Sequence, residues 1–60
     1  MTEKLAEKTY RKMHYILHHE DRHGYCISII NSIGIMIDVL YFKNLETAQE
    51  WFDGVGSKDE

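Results

Sequence analysis

Glu3-Lys4-Leu5-Ala6-Glu7-Lys8-Thr9-Tyr10-Arg11-Lys12-Met13-His14-Tyr15-Ile16-Leu17-His18-His19 decides the fold, because this stretch supports two readings. As a single helix it gathers Leu5, Ala6, Tyr10, Met13, Ile16 and Leu17 within an arc of about 140°, with most charges opposite. The other reading is a short N-terminal helix to about residue 9, then a strand over residues 11–19. The downstream sequence favours the second. Glu20-Asp21-Arg22-His23-Gly24 has the composition of a hairpin turn, and a lone two-stranded hairpin after it would be marginal.

Working outward, Tyr25–Asn31 and Ile35–Phe42 are rich in β-branched and aromatic residues, and Asn31-Ser32-Ile33-Gly34 supplies a turn between them. If Gly24 and Gly34 each take the left-handed position that ends a three-residue loop, residue 21 pairs with 25 and residue 31 with 35. Met13, Tyr15, Leu17, Ile27, Ile29, Ile37 and Val39 then share one face. Next comes Leu45–Phe52, a helical segment with Asn44 as N-cap, Glu46 at the positive end and Gly54 as C′ residue. Its Leu45, Ala48 and Phe52 form one apolar face with Trp51 at the border. The expected fold class is α+β: a short N-terminal helix, a three-stranded antiparallel meander and a C-terminal helix packed on one face. Residues 1–60 read as a single small domain with 54–60 as a frayed tail; α-β-β-α, with residues 3–19 helical, is the alternative.

Bulk properties bound the function. A 60-residue chain buries only about 60% of the surface it exposes unfolded, so it is near the edge of stability. Cys26 is the single cysteine; no intrachain disulfide can form, and a lone thiol suits a reducing, cytoplasmic compartment. No signal-peptide pattern precedes Met1-Thr2-Glu3-Lys4. The longest apolar stretch, Ile33–Phe42, is broken by Asp38 and falls short of the roughly 20 residues of a membrane span, so no membrane partner is expected. The net charge of −3 makes a poor general polyanion binder.

Several constellations have the residue types of chemistry without its order. In the register above, His18, Ser28 and Asp38 form one row, the side-chain types of a serine-hydrolase triad. Ser28 lies in the middle, however, so Asp38 would touch Ser28 instead of orienting His18. Being mid-strand, Ser28 also lacks a helix N-terminus or turn to serve as oxyanion hole. His14, His18, His19 and His23 cluster near Cys26, but a structural zinc site needs paired ligands in two halves and only one half exists. No metal and no cofactor are expected. Cys26 reads as a buried, inert thiol. With no glycine-rich phosphate loop and no carboxylates framed by a cleft, the chain is expected not to be an enzyme.

A three-stranded sheet followed by a helix, with Phe42 before it and Leu45-x-x-Ala48-x-x-Trp51 within it, resembles the arm-type DNA-binding domain at the front of many tyrosine recombinases. The resemblance covers about two-thirds of the chain and implies a basic sheet face laid in the DNA major groove. Here the corresponding strands offer Arg11, Lys12 and Arg22 among Ile, Ser and Asp, too little charge for an affinity built on phosphate contacts. Nucleic acid, approached through Lys8–Lys12, is therefore the second choice of partner.

The first choice is protein. Ile16, Ile30 and Met36 form an apolar row on the outer sheet face, and Cys26 lies beside Leu40, so two apolar rows flank His18–Ser28–Asp38. An ordinary half-exposed sheet is polar on its outer face. Unless Leu5 and Ala6 fold back over it, another protein or a second copy of the chain should cover it. The expectation is a small non-enzymatic module, homodimeric or bound to a different protein, using Ile16, His18, Cys26, Ile30, Met36, Asp38 and Leu40. Stand-alone acidic chains of this length are often regulators or inhibitors, including phage-encoded ones that target host enzymes.

Overall fold

The computed structural model describes residues 2–56. Strands β1 (Thr2–Tyr10), β2 (Met13–Glu20), β3 (Gly24–Ile30) and β4 (Met36–Phe42) precede one helix, α1 (Leu45–Gly54). The strands form a single antiparallel sheet in the order β1-β2-β3-β4. Among the described residues there is no N-terminal helix, and residues 3–19 are two strands joined by a turn at 11–12. From Ala6 onward β1 has the period of a strand, with Ala6, Lys8 and Tyr10 half-buried between exposed Glu7 and Thr9. The adjacent apolar pair Leu5-Ala6, which suggested a helix, is absorbed by a bulge. Lys4 pairs with His18 and Ala6 with Leu17, leaving Leu5 over.

The turn between β1 and β2 is Arg11-Lys12, both left-handed at φ 53° and 67°, with Tyr10 opposite Met13. Two-residue hairpin loops require this geometry and normally fill it with Asn-Gly or Asp-Gly. The sequence here carries no such marker. The Arg11 guanidinium lies 5.4 Å from the centre of the Tyr10 ring, one compensating contact.

Register corrects the assignment of faces. Asp21-Arg22-His23 is the loop and Glu20 pairs with Gly24, two positions from the expected register. Gly24, at φ 83°, begins β3; a Cβ there would lie 2.8 Å from the Phe42 carbonyl oxygen. The next turn forms as expected: Gly34 is left-handed at φ 88°, its N–H donates to the Asn31 carbonyl, and the Asn31 N–H donates to Ile35. Immediately after it Ile30 pairs with Met36 but Ile29 with Asp38, so one residue, Ile37, is extra. This second bulge reverses the phase of β4. Asp38, Leu40 and Phe42 share a face with Ile29, Ile27 and Tyr25, and Val39 and Tyr41 lie on the other. Ile37 and Val39 are thus not core residues.

The core is Leu17, Ile27, Ala48 and Phe52, flanked by Ala6, Tyr15, Tyr25 and Phe42. Full burial of a Leu, Ile or Phe side chain is worth about 1.5–3 kcal/mol, which makes this small set decisive. Helix α1 starts where expected, with Asn44 Oδ1 accepting from the Thr47 N–H at 2.9 Å. Gly54 is its last helical residue, not a C′ cap. Val55 and Gly56 are packed, not frayed: Lys8 Nζ donates to the carbonyls of Phe52 (2.8 Å) and Val55 (3.1 Å), and Gly56 lies against the Tyr10 ring. Residues 57–60 of the expected tail fall outside the described residues.

Candidate partner-binding surface

One face of the sheet carries α1; the opposite face has no covering layer among the described residues. Contrary to the folding-back considered from the sequence, β1 extends the sheet instead of covering it. At the centre of the open face are Ile16 and His18 of β2 and Cys26, Ser28 and Ile30 of β3. His18 Nε2 is 2.9 Å from Ser28 Oγ, and Cys26 Sγ is 3.4 and 3.5 Å from the two ring nitrogens of His18. Cys26 is only 2% exposed. Burial, reinforced by the Glu20 charge, raises its pKa, which keeps the thiol protonated and unreactive. Asp38 pairs with Ile29 on the helix side and accepts from the Val39 N–H at 2.8 Å, so it does not join His18 and Ser28.

Polar pairs rim this face. Glu7 takes Lys4 and, at 3.0 Å, His14 Nε2; the hydrogen bond and charge of Lys4 chiefly hold its carboxyl below the usual range. Glu20 takes His23 Nδ1 at 2.9 Å and the Thr2 hydroxyl at 3.1 Å. Those two bonds, His23 first, lower its pKa as well. His19 instead lies against Tyr25, ring centres 4.8 Å apart. The four histidines thus have separate local contacts. No group of three or more metal-binding side chains occurs among the described residues.

Of the residues singled out from the sequence, Ile16, His18, Cys26, Ile30 and Met36 fall on the open face, while the bulge carries Asp38 and Leu40 to the other. The most exposed apolar surface includes only Met36 of those residues; Ile33, Ile35, Ile37 and Tyr41 are not among them. Ile33, Ile35, Met36, Ile37 and Tyr41 are each more than half exposed, along the β3–β4 turn and edge strand β4. An apolar residue inside a turn, as in Ser32-Ile33-Gly34-Ile35, was the available signal. Arg11 and Lys12 occupy the β1–β2 turn and Arg22 the β2–β3 turn at the opposite end of β2, so these three do not form one basic sheet face.

Elsewhere, a shallow open groove of about 630 Å³ between α1 and the β1–β2 hairpin is lined by Tyr10, Tyr15, Glu50 and Trp51. Its Tyr15 and Trp51 rings are 6.2 Å apart. Among the described residues no helix is long and apolar enough to cross a membrane. No family model matches the chain, and no curated protein or solved structure matches it either, so the reading of this surface rests on its own chemistry.

Proposed function

We propose that this chain is a small, non-enzymatic protein-binding module of a reducing, cytoplasmic compartment that regulates or inhibits by association. The observation that carries the reading is the concentration of exposed Ile33, Ile35, Met36, Ile37 and Tyr41 along one edge of the sheet. Scattered exposed hydrophobics are ordinary, whereas contiguous ones mark interaction sites. The surface continues through Val39, half-buried at the β4 border, into Ile16 and Ile30 of the open face. A protonated, buried Cys26 suits a reducing environment.

The test pairs light scattering over a concentration range with affinity capture of the tagged full chain. Met36→Lys combined with Tyr41→Lys should abolish association with a protein, whether a second copy or another chain. Leu5→Lys on the far edge should leave it intact. A chain that is monomeric throughout and captures nothing, or whose association ignores the double change, would sink the reading.

A further inference from the structure

Resting on that reading, we infer that the occupant of the β4 edge is β4 of a second copy, paired antiparallel about Leu40, and that Asp38 restrains this pairing. As an edge strand, β4 presents backbone donors and acceptors that only another extended strand can satisfy in series. Antiparallel pairing of a strand with itself is closed by a two-fold axis. The alternative, β4 against β1 of the next copy, would propagate without closing, and β1 is a poor acceptor: it is bulged at Leu5 and carries Glu3, Lys4, Glu7 and Lys8. Association therefore stops at two.

Charge fixes the axis. Centred on Val39, the pairing would put the two Asp38 carboxylates two positions apart on one face. Centred on Leu40, it separates them by four positions, about 13 Å of strand rise, beyond the screening length of about 8–10 Å. Leu40 then meets Leu40 of the partner subunit, and Val39 meets Tyr41 of the partner subunit on the open face, a favourable β-branched–aromatic pair. Both helices lie on the same side of the resulting eight-stranded sheet. In the single chain the Val39 N–H is occupied by Asp38 Oδ1; pairing must displace that carboxylate, so Asp38 competes with the partner strand.

Two measurements test this. By light scattering, Asp38→Ala should tighten the dimer by about tenfold, through one released donor and one lost charge per subunit. In a Cys26→Ser background, mild oxidation should cross-link Leu40→Cys into a disulfide dimer, while Ile16→Cys on the open face should remain single. If Leu40→Cys perturbs folding, concentration-dependent protection of the Val39 and Tyr41 amides from hydrogen exchange in the native chain reports the same contact. Cross-linking at Ile16 but not at Leu40, or a monomer at all concentrations for both native chain and Asp38→Ala, would overturn the inference. A monomer that still captures a different protein through Met36 and Tyr41 would overturn the self-pairing alone, and failure of both associations would remove the functional reading with it.

Discussion

The two edges of the sheet solve the same problem differently. β1 alternates Lys and Glu, is kinked by its bulge at Leu5 and is fastened from inside, where Lys8 holds the last carbonyls of α1. β4, Met36–Phe42, has a single charge, Asp38, and its bulge comes at the start, leaving the rest regular. An unprotected edge is a template for pairing, and proteins ordinarily blunt it with charge, bulges or cover. β1 is blunted along its length, whereas β4 has only Asp38 and a bulge confined to its start. The lesson is that a small chain can leave one sheet edge available for pairing by defending only the other.

Four changes would break or sharpen this contrast. The largest effect is expected at the inner anchor of β4. Gly24→Ala places a Cβ against the Phe42 carbonyl at a left-handed position and should cost about 2–4 kcal/mol in urea unfolding. Next, Arg11→Asn with Lys12→Gly supplies the residues that the β1–β2 turn geometry favours. It should raise stability by about 1–2 kcal/mol, read as a higher melting temperature. A result near zero would mean that the Arg11–Tyr10 contact already offsets the backbone strain.

Smaller still, Lys8→Met keeps the stem over Phe52 but removes the ammonium from the C-terminal end of α1. A loss of about 1 kcal/mol is expected, with faster amide exchange in the last turn of the helix. The smallest effect is electrostatic. Glu7 and Glu20 have folded pKa values lowered by their partners, so their contribution is present above the ordinary glutamate value of about 4.3. It is lost as pH falls through the lower folded values. Glu7→Gln should flatten the acid limb of stability below about pH 5, measured by chemical unfolding at stepped pH.

Legibility followed the presence of local markers. Asn44 and the Ala48/Phe52 spacing revealed α1, and Asn31 with Gly34 revealed the last hairpin. The β1–β2 turn carries no such marker, because Arg11 and Lys12 adopt a conformation that their side chains do not advertise, so the sequence of β1 reads as a helix. The bulge at Ile37 was equally silent, because no glycine marks it. That one extra residue exchanged the faces of β4, moving Leu40 and Asp38 off the open surface and Val39 and Tyr41 onto it. Gly24 misled in the opposite sense: its left-handed backbone lies at the start of the strand, not inside the loop. Those differences move residues of β4 between faces, while Ile16, His18, Cys26 and Ile30 share the open face that simple alternation within β2 and β3 predicts.

Because each strand neighbours the next in sequence, the sheet can assemble from contacts of low sequence separation. Hairpins close on a timescale of about 1–10 μs, and chains dominated by such local contacts fold quickly. Contacts with α1 are different: the bonds from Lys8 to Phe52 and Val55 span 44 and 47 residues. They can form only once α1 has docked, so those contacts are expected among the last to appear in folding and the first to yield in unfolding. The defended edge would then owe its fastening to the final kinetic step, whereas the β3–β4 hairpin, closed by Asn31 and Gly34, is ready from the first.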